Sequence, residues 1–239
     1  MRILRKILSF IFVVVFVLSV GTSVAFFLSS TNRLAFKDNK DSRLELYYSS
    51  YYAIGNSKDY TIIANNKYGE DQKSVDEITC SLTDESENIY TCSQISKLYD
   101  SEGELVRTSY FPGDGYKYSV EGEAKTKTVY SNTNLQNYFS ALLGGANSYL
   151  RYIAYDVFVP DDEEFIKFET DIKFNFNTFS LLKEINFNLD KGTSKLSADL
   201  TFDGKDRLTK VMSGESISLE ISYKKTNFEF PSFSNFVEA

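Results

Sequence analysis

Two cysteines, a block of four acids and the absence of histidine bound the chemistry open to this chain. Without an imidazole, a Ser-His-Asp triad, a Cys-His pair and a histidine-ligated zinc are all excluded within it. The block Asp161, Asp162, Glu163 and Glu164, which follows Pro160, offers the oxygen ligands that calcium takes. It lacks the Asp-x-Asp-x-Asp-Gly spacing of a calcium loop, and four adjacent acids also mark a solvated strand entrance. Glycoside hydrolysis needs two carboxylates facing each other across a cleft, and no spacing in the sequence sets up such a pair. No catalytic residue, metal ligand or cofactor is assigned.

Cys80 and Cys92 are read as a disulfide. Ile78, Cys80 and Leu82 alternate with polar residues, and Tyr90 and Cys92 lie beyond the polar stretch 83–88. If the chain folds back near residue 86, Cys80 faces Cys92 and Leu82 faces Tyr90 across an antiparallel pair. A redox-active pair usually has two residues between its cysteines; here there are eleven. Free thiols are the remaining alternative.

The aromatic load, 17 Tyr and 20 Phe with no Trp, suits either an ordinary core or a roomy apolar cavity. In the second case Phe168, Ile172, Phe174, Leu200 and Phe202 are the candidate wall on strands. Tyr47, Tyr51, Tyr138 and Phe139 are the candidates on helices. The missing tryptophan weakens a sugar-stacking reading, although tyrosine can do the same work. Phe233 and Phe236 near the C-terminus belong to either a loose tail or an added edge.

The elements that must position these residues are mostly strands. Ile166, Phe168, Thr170, Ile172, Phe174 and Phe176 alternate with charged or amide residues, a period of two that no helix fits. Further alternating segments run through residues 185–189, 196–202, 208–212 and 217–223, with turns at Lys191-Gly192 and Asp203-Gly204. Earlier strands are expected at 60–64, 78–82, 89–98, 105–110, 116–120 and 124–130, separated by Gly- and Asp-rich turns. Helical spacing occurs twice. One helix runs from about Asp41 to Ile54 and carries paired tyrosines. A second, capped by Asn132 or Asn134, carries Leu135, Tyr138, Phe139 and Leu142; Gly144-Gly145 is expected to break it before a helix with Tyr149, Leu150 and Ile153. The expected fold is α+β and mainly antiparallel: a curved meander sheet, or half-barrel, with helices on its concave face.

Residues 7–32 carry no charge and are flanked by Arg2, Arg5 and Lys6 before and Arg33 after. A basic start and an apolar run mark an export signal or a signal anchor, with the chain after Arg33 outside the membrane. Ser23-Val24-Ala25 suits cleavage before Phe26, whereas the length also suits a retained transmembrane helix. The expected organisation is a leader or anchor at 1–32, a tether at 33–40 and a single extracytoplasmic domain at 41–239. The leader holds three of the 26 basic residues and none of the 33 acidic ones, so the remainder has a net charge of −10. That charge disfavours nucleic acid and anionic lipid heads as partners. No Pro-rich stalk is present, with only three prolines in the chain.

The order helix, meander, helical insert and closing meander over residues 41–231 resembles the LolA-like bacterial lipoprotein-carrier superfamily. The ending Ile217 to Tyr223, Lys224-Lys225, then Phe228-Glu229-Phe230-Pro231 looks like the last strand and proline of its members. The resemblance implies a half-open antiparallel barrel whose helices plug the mouth, with an acyl chain held between sheet and helices. The chain departs from the lipoprotein members in having no cysteine before Cys80 to carry a lipid. Three functions follow as expectations: a non-catalytic, membrane-associated envelope protein that binds a hydrophobic ligand; a structural domain that binds an envelope protein partner; and a carboxylate hydrolase. The first predicts an apolar cavity open on the helix side. The second predicts a filled core and an exposed aromatic patch.

Overall fold

The computed structural model describes residues 11, 14, 15, 40–68, 72–154, 158, 166–175, 180–191, 194–214 and 217–239. Side chains at 40, 68, 166–175, 180, 181, 189–191, 194 and 195 are outside the description, as are the leader, the tether and the acid block 161–164. Among the described residues no helix is long and apolar enough to cross a membrane.

Alternation dictates one large sheet. Its strands are β1 (Asp59–Tyr68), β2 (Gln72–Asp84), β3 (Ile89–Tyr99), β4 (Leu105–Phe111), β5 (Tyr116–Glu121) and β6 (Ala124–Val129). After the helical insert come β7 (Ile166–Asn175), β8 (Ser180–Lys191), β9 (Ser194–Phe202), β10 (Leu208–Ser213), β11 (Ile217–Ser222) and β12 (Val237–Glu238). The spatial order is β12-β6-β5-β4-β3-β2-β1-β11-β10-β9-β8-β7. Each half is therefore a meander, and the two meet where β1 pairs with β11, from Thr61 opposite Ser222 to Asn66 opposite Ile217. The sheet is open rather than a closed barrel, with β7 at one edge and β12 at the other. Among the described residues every pairing is antiparallel except β12 on β6, which is parallel.

Among the described residues two helices cover one face, α1 (Lys40–Asn56) and α2 (Asn132–Tyr152). The face beneath them carries Tyr60, Ile62 and Ala64 of β1, Ile78 and Cys80 of β2, and Leu219 and Ile221 of β11. Leu200 and Phe202 of β9 and Ile185 and Phe187 of β8 continue it. These residues sit two apart along each strand and opposite one another in register, as burial of a single face requires.

Cys80 lies directly opposite Cys92 and Leu82 opposite Tyr90, and a disulfide joins the cysteines with their Cα atoms 4.1 Å apart. Both cysteines are buried under the helices. Asn88 takes a positive φ of 55° in the turn that brings them together, a conformation that Asn tolerates better than most residues.

Three expectations change. α2 is continuous through Gly144 and Gly145, because both of its ends are anchored by buried side chains and the glycine cost falls below that packing. Its N-cap is Ser131, whose Oγ accepts from Asn134 N at 3.3 Å, rather than Asn132 or Asn134. Residues 228–231 are not a last strand: β11 ends at Ser222, and the chain then crosses the outer face as an irregular strap.

That outer face is not uniformly wet. Lys224 O accepts from Thr61 Oγ1 at 2.8 Å, and Thr226 N donates to Thr61 Oγ1 at 3.0 Å and to Thr79 Oγ1 at 3.2 Å. Further along, Phe233 stacks on Tyr118 with ring centres 3.8 Å apart and planes 9° from parallel, and Phe230 and Phe236 flank Tyr110 and Tyr118. Phe233 and Phe236 are thus part of a packed strap that ends in an added edge strand. From β11 to β6 the strap crosses six strand spacings, roughly 29 Å. Residues 224–236 extended would reach about 43 Å, so the crossing leaves slack.

Candidate functional site

The helix layer is where a site has to lie if the sheet opens toward a ligand. Each helix is held by polar pins at its buried edge. On α1, Ser50 Oγ donates to Asp206 O at 2.7 Å, Tyr60 Oη donates to Ile54 O at 2.6 Å, and Arg43 Nη1 donates to Ile153 O beyond the end of α2. On α2, Tyr138 Oη donates to Asp76 Oδ2 at 2.8 Å, and Gln136 Nε2 donates to Tyr90 O. Asp76 is buried, and Ser74 Oγ and Gln94 Nε2 also donate to it. Asp76 therefore anchors α2 on β2 and β3 through the uncharged donors Tyr138, Ser74 and Gln94.

Beneath the pins aromatic rings pack against one another. Phe139 packs against Tyr60 and Tyr90 with ring centres 5.3 and 5.2 Å away, and Tyr60 meets Tyr223 at 5.9 Å. Burial pushes the Tyr60 and Tyr223 hydroxyls well above the usual tyrosine range. Tyr152 stacks on Phe187 at 5.1 Å.

The sequence-derived candidates separate accordingly. Leu200, Phe202, Phe139 and Tyr47 are brought together as buried core. Tyr138 is half-buried and spends its hydroxyl on Asp76. Tyr51 is 43% exposed and lies on the helix surface. Phe168, Ile172 and Phe174 share the inner face of edge strand β7 by register, Phe168 opposite Phe187 and Ile172 opposite Lys183, and their side chains lie outside the described residues.

Among the described residues a cleft of about 440 Å³ opens between the two helices. Tyr51, Tyr52, Ile54, Gly55 and Asn56 line it from α1, and Ser140, Leu143, Gly144 and Asn147 from α2. The amide oxygen of Asn147 is shielded from solvent and has no hydrogen-bond partner. Gly144 and Gly145 are in the interior of α2, yet a Cβ at either would meet nothing within 4 Å. Among the described residues neither packing nor backbone conformation calls for glycine there.

Most of these cleft residues were not singled out from the sequence. The signal that marks them is the absence of charge: residues 46–57 and 128–150 contain no Asp, Glu, Lys or Arg, in a chain that is 25% charged. A second cleft of about 420 Å³ lies on the outer face at the strand tips, lined by Lys67, Lys73, Tyr99 and Asp100 among others, with a single carboxylate. Among the described residues no group of three or more His, Cys, Asp or Glu is placed to hold a metal ion. No protein-family model matches the chain, and no curated protein matches it.

Proposed function

We propose that the protein is a non-catalytic, membrane-tethered domain of the cell envelope that takes an apolar, lipid-like chain into the cleft between α1 and α2. The observation that carries this reading is Gly144. A glycine inside a helix costs about 1 kcal/mol relative to alanine, and here the space above it is empty. An open track over Gly144, floored by Ile54 and Leu143 and rimmed by Tyr51 and Tyr52, fits a group that must approach the helix backbone closely. Its volume falls in the range of about 300–1,000 Å³ usual for small-molecule sites. The carrier-like half-barrel implied an acyl chain beneath the helices. Leu200, Phe202 and Phe139 are buried core beneath the helices, and the cleft between α1 and α2 is open, which favours a chain held between the helices.

The exposed rings of Tyr48 and Tyr52 favour a second reading, an extracytoplasmic domain that binds an envelope protein through this helix face and holds no small ligand.

The test uses the full chain in its own host, grown with a photoactivatable fatty acid. Irradiation is expected to attach lipid to peptides containing residues 51–56 or 140–147, and Gly144→Leu, which fills the track, to abolish the adduct. An adduct indifferent to Gly144→Leu, or none in the parent chain, sinks the reading and leaves the partner-binding one.

A further inference from the structure

We infer that the uncharged face formed by α1 and α2 docks on the bilayer that the leader enters, so that the cleft between the helices opens toward lipid. The inference rests on the membrane-tethered reading given above. Three observations converge on it. First, the outward-facing positions of α2, Asn137, Ala141, Gly144 and Ser148, are exposed and uncharged, and α1 is uncharged from residue 46 to its end. The exported part as a whole has a net charge of −10. An acidic domain meets a bilayer with least repulsion through its charge-free side.

Second, the exposed large side chains of α1 are tyrosines: Tyr48 at 44%, Tyr51 at 43% and Tyr52 at 61%. Tyrosine has an apolar ring and a polar tip, the combination that settles at the level of lipid head groups. The rings form a contiguous array, Tyr47 stacked on Tyr51 at 5.8 Å and Tyr48 on Tyr52 at 6.4 Å.

Third, the connection is short. The uncharged stretch ends at Asn32 and α1 begins at Lys40. Residues 33–39 can reach at most about 25 Å. The start of α1 is thereby confined close to the membrane surface, and the tyrosines follow within about three and a half turns of helix. A second copy of the chain or another protein would also accept a neutral face, but neither would need the face to sit next to the anchor.

The test places the full chain in phosphatidylcholine vesicles. The environment-sensitive fluorophore NBD is attached through Ala141→Cys, Tyr52→Cys or Ser197→Cys in turn; Ser197 is exposed on β9 and faces away from the helices. Labels at 141 and 52 are expected to shift to the blue and lose emission to nitroxide-bearing lipids, while the label at 197 does neither. Adding the charges Ala141→Glu and Ser148→Glu should remove the quenching at 52. Labels at 141 and 52 as unquenched as at 197 would overturn the inference. So would a blue shift without lipid quenching, which marks a protein partner. Gly144→Leu separates the two proposals: with docking correct, quenching persists in that variant even where the photoadduct is lost, and a chain that docks without ever capturing lipid leaves only the cleft reading wrong.

Discussion

The two faces of the sheet solve the same problem, covering aromatic side chains, by different means. On the inner face, helices pinned by Ser50, Tyr60 and Tyr138 lie over a knot of Tyr60, Tyr90 and Phe139 in which Tyr60 and Phe139 are almost fully buried. On the outer face an irregular strap lays Phe230, Phe233 and Phe236 against Tyr110 and Tyr118, with its own rings half in solvent. Helices bring regular stripes of side chains that interlock with a sheet. A strap brings single rings, each stabilising little beyond its own contact. The inner face should therefore govern global stability, and the outer face local closure.

The largest effect expected is Phe139→Ala, which opens a cavity in the inner knot and should cost about 3–5 kcal/mol, read as a lower midpoint in denaturant. Next is reduction of the Cys80–Cys92 disulfide, or its replacement by Ser at both positions, at about 2–4 kcal/mol. The bridge ties neighbouring strands on the inner face, so its loss should lower the midpoint of the whole domain rather than of one segment. Phe233→Ala removes the stacked ring of the strap and should cost less, about 1 kcal/mol, with faster hydrogen exchange confined to the tail and β5–β6. If Phe233→Ala matched Phe139→Ala, the contrast between the faces would fail.

Alkali offers a sharper comparison. A hydrogen bond to the Asp114 carboxylate, aided by burial, pushes the Tyr118 hydroxyl up to about 12, against about 10 in an unfolded chain. A raised pKa means that the folded state holds the proton more tightly, so this stabilisation is complete below about pH 10 and is lost as pH rises toward 12. Tyr60 and Tyr223 act in the same direction from the inner face. Stability should thus fall between pH 10 and 12, and Tyr118→Phe should flatten only part of that fall in pH-dependent urea titrations. The smallest effect expected is a gain: Gly144→Ala should stabilise the fold by about 0.5–1 kcal/mol, since nothing lies within 4 Å of the added carbon. A loss there would mean that α2 is packed from above by the chain itself.

How much of this was legible beforehand depends on how local the cause is. The facing of Cys80 on Cys92 was, because one turn and a period of two suffice to set it. Continuity of α2 through Gly144-Gly145 was not: local propensity argues for a break, and the opposing anchors, Phe139 on Tyr60 and the terminal contact to Arg43, are far away in sequence. Nor was the cap, because Ser131, Asn132 and Asn134 are all good capping residues and only backbone geometry picks one. Among the cavity candidates, Leu200, Phe202 and Phe139 were recognisable as facing inward, because a period of two or of 3.6 is enough to mark the side that avoids water, and all three are buried.

The sequence by itself determined the strand alternation, the disulfide register and the long uncharged runs of both helices, since each is a property of neighbours along the chain. Only the tertiary structure decided that β1 joins β11, that the last residues strap the outer face, and that residues near 52 and 144 share one cleft. The physical reason is that periodicity states which side of an element avoids water. What covers that side is settled by contacts between segments separated by nearly a hundred residues or more, and no local pattern encodes them.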